Sequence, residues 1–381
     1  MIDRFLAVRR RTRALCEPLE IEDYVVQGGP EASPARWHLG HTTWFFEAML
    51  LARWEPRHRP RDARWGHQFN SYYESLGPRH ERARRGELSR PTVREVLAWR
   101  DEVDARVVEA VAIAGAEARD VLALGIAHEE QHQELLLTDL QLAFWVNPLR
   151  PVYAPAEAEP AVATQLRWTD HPGGLVEIGH AGDGFAFDNE GPRHRVWLSP
   201  HRLADRLVTV GEWRAFVADG GYRRPELWLS DGWAWVRREA IAAPLYWEGD
   251  TVFTLHGTRP LDDAEPVRHV GGYEADAYAR WAGARLPTEA EWEAAAPDPG
   301  DPAAGDRYGV AWQWTSSAYG PYPGFRPLAG ALGEYNGKFM CNQLVLRGSS
   351  SATPPGHTRR TYRNFFHPHE RWQVTGVRLG G

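Results

Sequence analysis

The chain has 381 residues, too many for one ordinary hydrophobic core and about right for two domains. A net charge of −7 with no basic tract argues against nucleic acid as the main partner, and no apolar run is long enough to span a bilayer. The two cysteines, Cys16 and Cys341, form no C-x-x-C pair, so a metal would have to rely on histidine and carboxylate, not on a disulfide or thiolate framework.

The opening MIDRFLAVRRRTRALCEPLE is basic but has no apolar segment followed by a small-residue cleavage site, so a cytoplasmic protein is expected, monomeric or weakly oligomeric. The aromatic load is unusual, with 18 Trp, which serve either as large core residues or as walls of a pocket for a flat or cationic ligand.

From Ile2 to about Asn147 the pattern is helical. ARWHLGHTTWFFEAMLLARW, entered through Ser33-Pro34, reads as one helix. VREVLAWRDEVDARVVEAVA repeats apolar residues at three and four after the start signal Ser89-Arg90-Pro91-Thr92, and ARDVLALGIAHEEQHQELLLTDLQLAF follows as a second long helix. A bundle of roughly four helices over 1–150 is predicted, a setting in which facing side chains build metal sites. NPLRPVYAPAEAEPAVATQ reads as a Pro- and Ala-rich linker, placed at 151–166. Over 167–381 short strands and turns dominate, as in GGLVEIGH, HRVWLSP and LVLRGSS, interrupted by YEADAYARWAGA and LPTEAEWEAAA as helices. The fold class expected is α+β.

Three histidines stand out in the bundle. His128 and His132 lie four apart on one helix face, and His41 comes from another helix. Such a set caps one face of a metal and leaves positions open, as catalytic sites do. His38 is read as a core residue or as one that orients its neighbour, and Glu129 and Glu134 as partners of the imidazoles or as solvent-facing charges. HEEQH also matches the zinc-protease signature, with Glu129 as base, although the remaining histidine segment lies upstream.

Taken together, SPARWHLGHTTWFFE, FNSYYESLGPRH, RGELSRPTV, HEEQHQELLLTDL, GARLPTEAEWE, WQWTSSAYGPYPGF, GEYNGKFMCNQLVLRG and TYRNFFHPHERW resemble the ergothioneine-type sulfoxide synthases, the EgtB group, and their sister branch, the selenoneine synthases. The resemblance spans nearly the whole chain. It implies an N-terminal DinB-like helical bundle and a C-terminal domain of the formylglycine-generating-enzyme, C-type-lectin-like fold. It further implies non-haem Fe(II) on His41, His128 and His132, with dioxygen as co-substrate and hercynine, trimethylated histidine, as acceptor of a new C–S or C–Se bond. Tyr72 and Tyr73 then correspond to the family's catalytic phenols and Gln131 to its hercynine-binding glutamine. Asn364 corresponds to a contact to hercynine's carboxylate, and Phe365, Phe366, Trp44 and Trp314 are candidates for facing its trimethylammonium group. Arg79 and Arg82, with Arg85 and Arg90 nearby, are the basic residues that the carboxylates of a thiol donor would call for.

Departures from that pattern bear on the donor. Only Cys341 lies in the second domain, so the cysteine-oxidising activity after which its fold is named is not expected. Where related sequences read HVSYYEADA and RNFFPP, this chain reads HVGGYEADA and RNFFHP. Gly271 and Gly272 would enlarge a pocket, and His367 and His369 would add polar groups, both suiting a selenosugar better than free cysteine. A metal-dependent hydrolase or thiol transferase using zinc or nickel, and a non-catalytic binding module, are the competing readings.

Overall fold

The structure is a computed structural model and describes residues 1–155 and 164–381. The described chain divides into two compact units. The linker expected at 151–166 falls largely on 156–163, outside the described residues.

The first unit is helical: α1 (Ile2–Ala14), α2 (Ala35–Phe46), α3 (Ala52–Trp54), α4 (Ala63–Phe69), α5 (Val93–Ile113) and α6 (Ala116–Val146). Every residue of α2 is buried, because it packs against both α5 and α6, and its polar side chains, Arg36, His38, His41, Thr42 and Thr43, find hydrogen-bond partners inside the unit. The single helix expected over 35–54 is broken by a π turn, Glu47–Leu51, that separates α2 from α3. α5 begins where the start signal puts it, with Thr92 and Glu95 forming a reciprocal capping box. This unit also takes in Leu255–Gly257 and Leu328–Tyr335, which a division by sequence position does not anticipate.

The second unit carries a four-stranded sheet of Leu344–Arg347, Asn364–Phe366, Trp312–Ala318 and Thr375–Gly376. Trp312–Ala318 lies between Leu344–Arg347, its antiparallel neighbour, and Thr375–Gly376, its parallel one. The hairpin Gly174–Ile178 with His194–Leu198 and the pair Trp168–His171 with His201–Ala204 are separate two-stranded ribbons. Helices Gly272–Trp281 and Glu289–Ala295 form where the sequence puts them, the latter capped by Thr288 and Glu291. Buried cations hold this unit together: Arg363 pairs with Glu289 and Arg347 with Glu293. Among the described residues no helix is long and apolar enough to cross a membrane.

Candidate metal centre

Two helices supply the centre. α6 presents His128 and His132 one turn apart, and α2 presents His41. One nitrogen from each of these three buried residues lies within 4.8 Å of the others, a grouping that can hold a metal ion. His41 and His128 meet Nε2 to Nε2 at 3.1 Å, and the His132 ring centroid is 4.7 Å from that of His41 and 4.6 Å from that of His128.

The donor set fits a divalent transition metal. Two imidazole nitrogens about 2.0–2.1 Å from one ion and roughly at right angles sit about 3 Å apart, close to the spacing found. Burial holds all three rings neutral, the state in which they ligate. It lowers His128 to about 3 against the opposing pull of Glu129, and it puts His41 and His132 well below the ordinary range, helped by the neighbouring imidazoles. His41 donates from Nδ1 to the Phe69 carbonyl at 2.6 Å, which leaves its Nε2 lone pair facing the cluster. Gly40 makes that bond possible, since a Cβ there would lie 2.1 Å from the Phe69 ring. His128 Nδ1 is buried without a hydrogen-bond partner.

The carboxylate that the protease signature would use points elsewhere. Glu129 is neither solvent-facing nor against an imidazole. It is fully buried, bonded by Arg9 at 2.9 Å, Thr12 at 2.5 Å and Arg100. Burial alone would raise its pKa, but Arg100 and Arg9 outweigh that and hold it at about 2, so a general-base role at neutral pH has no support. His38 is buried beside the cluster and bonds His132 and Asp139.

Around the histidines stands an aromatic wall. Trp37 stacks on His41 at 4.5 Å, and Trp44 lies 5.7 Å from His41 and 5.6 Å from Tyr73. Tyr73 is fully buried, and burial, with Tyr72 and Tyr335 close by, keeps it protonated far above neutral pH. Tyr72 is half-buried, 4.7 Å from Tyr73. Gln131 accepts a hydrogen bond from the Tyr335 hydroxyl, and the Tyr335 ring is 5.5 Å from His128. Tyr335 was not foreseen as a site residue. Arg79 and Arg82 are partly exposed and pair with Glu74 and Glu31. Arg85, by contrast, is buried flat on Trp37, 3.4 Å from its centroid, bonding Ser33 and Ser71.

Residues 4–136 match the DinB superfamily and residues 170–310 match the sulfatase-modifying factor enzyme 1-like domain. The chain is 33% identical to the hercynine oxygenase of Mycolicibacterium smegmatis, with 100% of this chain and 98% of that protein covered. The chain belongs to the hercynine oxygenase family, the EgtB type. The Mycobacterium tuberculosis hercynine oxygenase is 31% identical, with 96% of each covered. The formylglycine-generating enzyme of Streptomyces coelicolor is 37% identical over 37% of this chain and 51% of that protein. Both halves of the expected fold are thereby established: a DinB helical domain and a formylglycine-generating-enzyme-type domain in an α+β chain.

The remaining candidates of this hercynine oxygenase-family chain belong to the second unit. Asn364 and Phe365 open the strand beside Leu344–Arg347; Phe365 stacks on Tyr319 at 4.0 Å, and Phe366 lies 6.3 Å from Trp372. Trp314 is fully buried with its indole bonded to the Val270 carbonyl, the position of a core residue and not of a ligand wall. The expectation that Gly271 and Gly272 enlarge a pocket is overturned. A Cβ at Gly271 would lie 2.8 Å from the Pro368 carbonyl, and one at Gly272 3.1 Å from Trp314, so neighbouring groups already fill that space. His367 bonds the Asn342 carbonyl at 3.2 Å and stacks near His369.

Proposed function

We propose that this chain joins a chalcogen atom to the imidazole carbon between the two ring nitrogens of hercynine in an oxygen-dependent reaction, with Fe(II) held by His41, His128 and His132. The observation that carries this is the cluster of three buried, neutral imidazole nitrogens without a carboxylate among them, in a chain related end to end to proteins named hercynine oxygenase. Fe(II), when bound, supplies one-electron activation of oxygen and a template that holds the coupling partners side by side. The chain's own groups do the rest. Tyr73, or Tyr72 beside it, donates a proton; burial keeps the Tyr73 phenol protonated at neutral pH, so the proton is in place to be given. Gln131, its side chain aimed by Tyr335, bonds the hercynine imidazole. Asn364 bonds the carboxylate of hercynine, and Phe365 and Phe366 offer ring faces to a trimethylammonium group that has no hydrogen to donate.

The division at 151–166, with the iron-binding bundle before it and the formylglycine-generating-enzyme-like domain after it, belongs to the same reading, as does a cytoplasmic setting, which two unpaired cysteines suit. For the donor we propose a selenosugar, supported by the polar groups that His367 and His369 add. The second reading, cysteine or gamma-glutamylcysteine, is favoured by Arg85, a buried cation with no carboxylate in ion-pair reach among the described residues; Arg79 and Arg82 would assist once released from weak surface pairs.

Anaerobic reconstitution with Fe(II), followed by oxygen uptake with and without hercynine, tests the acceptor: uptake that ignores hercynine refutes it. Product masses after incubation with a selenosugar, cysteine and gamma-glutamylcysteine decide the donor, and a thioether sulfoxide alone defeats the selenium reading. His132→Ala should lose iron binding and turnover together.

A further inference from the structure

His132 does not stand alone on α6. Its Nδ1 lies 2.9 Å from Nδ1 of His38, and His38 Nε2 lies 3.1 Å from Oδ2 of Asp139. All three side chains are buried, so no water competes for these bonds. The protons can be placed by elimination. Asp139 Oδ2 already accepts the Ser33 backbone N–H at 2.7 Å and acts as an acceptor. His38 therefore donates from Nε2, which leaves its Nδ1 as an acceptor when the ring is neutral. The proton between the two imidazoles then belongs to His132 Nδ1. That choice puts the lone pair of His132 on Nε2.

We infer that His38 and Asp139 form a two-step brace that fixes His132 as its Nδ1–H tautomer and presents its Nε2 lone pair to the metal. The inference rests on the three-histidine centre proposed above. It makes His38 and Asp139 positioning residues that touch neither metal nor substrate. The brace does for His132 what the Phe69 carbonyl does for His41: each ligand's far nitrogen is held by an acceptor, so each near nitrogen is available. His128 differs, with its Nδ1 unpartnered, so its tautomer is left to the metal itself. The circuit also closes on the other ligand. Ser33 Oγ accepts from Arg85, Arg85 lies on Trp37, and Trp37 stacks on His41, so Asp139 anchors contacts that lead to both helices of the site.

The test uses Co(II) as the probe ion and the full-length chain, with circular dichroism confirming that each variant folds. His38→Ala should weaken Co(II) binding by roughly 10- to 100-fold, the usual cost of losing such a partner. His38→Asn, whose Oδ1 falls near the lost Nδ1, should recover most of that loss. Asp139→Asn, which removes the charge but keeps an acceptor, should fall between wild type and His38→Ala. Long-range proton–nitrogen spectra of metal-free protein labelled at histidine nitrogen should show His132 protonated at Nδ1 in the wild type and mixed between nitrogens in His38→Ala. A purely structural role for His38 would not move that signal. Co(II) affinity in His38→Ala within twofold of wild type, or an unchanged His132 tautomer, would overturn the brace. Should His38→Ala fail to fold, the same spectra on His38→Asn and Asp139→Asn decide. A wild-type protein that binds no Co(II) at the three histidines refutes the centre itself, so the two failures are separable.

Discussion

Gly125→Ala pits two opposing effects against each other at the joint that spaces the ligands. Gly125 lies within α6, three residues before His128, and replacing glycine by alanine inside a helix stabilises it by about 1 kcal/mol. The new Cβ, however, would sit 2.4 Å from Cε1 and 2.9 Å from Cζ of Phe46, and 3.1 Å from Cε1 of Phe45. Carbon atoms rest roughly 3.5–4.0 Å apart, so the helices must part by about 1 Å. Phe46 cannot swing aside, because it is fully buried and packed edge-on to Phe5 at 4.9 Å. Overpacking of this kind costs about 1–3 kcal/mol, so the sum is a loss of roughly 0–2 kcal/mol. The effect on the site is larger than the effect on stability. Phe45 and Phe46 share α2 with His41, and the Phe45 ring lies 4.5 Å from that of His128, so the displacement falls on the 3.1 Å spacing between His41 and His128. Co(II) affinity is expected to drop at least tenfold while the urea midpoint falls only modestly. Gly66→Ala is the control: its Cβ would meet nothing nearer than 3.8 Å, and it should stabilise α4 without touching the metal. If Gly125→Ala proves more stable than wild type and binds Co(II) equally well, close helix approach does not set the ligand spacing.

Further outcomes follow from the same geometry. Glu129→Gln leaves Arg100 buried without its carboxylate and Arg9 with Asp104 alone, and should cost about 3–5 kcal/mol in urea unfolding. The wild-type contribution has a definite pH window. Because the folded pKa of about 2 lies below the ordinary 4.5, the stabilisation is complete above about pH 4.5 and disappears as pH falls through 2, a slope that Glu129→Gln should lack. Tyr73→Phe should keep Co(II) affinity and lower the coupling rate by about 100-fold or more, measured by product formation against oxygen uptake. Tyr335→Phe removes one hydrogen bond to Gln131 and should raise KM for hercynine roughly 2- to 10-fold, with a smaller change in kcat; an unaltered KM would separate Gln131 from hercynine binding.

The parts of this molecule that were legible in its sequence are those with a fixed period along the chain. A spacing of four from His128 to His132 puts both on one helix face, and Thr92 three residues before Glu95 marks the start of α5. The brace on His132 had a signal of the same kind. Asp139 follows His132 by seven residues, two turns of α6, so both lie on one face and His38 bridges between them. What the period cannot supply is a partner brought in by tertiary folding. Glu129 finds Arg9 and Arg100 through contacts 120 and 29 residues long, and nothing in HEEQH indicates that its first carboxylate faces away from the histidines. Tyr335 reaches Gln131 across 204 residues, a distance that no local pattern records.

Glycine is where reading from sequence goes most astray, because it records a missing side chain but not what occupies the space. Gly271 and Gly272 read as room for a bulky donor, yet the Pro368 carbonyl and the Trp314 ring have closed on them. Gly40 and Gly125 show the same event in the helical unit, where it serves the site: the Phe69 ring closes on one and the Phe46 ring on the other. In each case the absent Cβ lets two groups approach more closely than any side chain allows, and in the bundle that approach brings the Phe69 carbonyl to His41 and α2 to α6. A cavity is therefore inferred safely only where the atoms around the glycine hold back, and none of these four glycines meets that condition. The case for a selenosugar must then rest on groups that donate and accept hydrogen bonds, His367 and His369, and the product mass with each donor is the measurement that decides it.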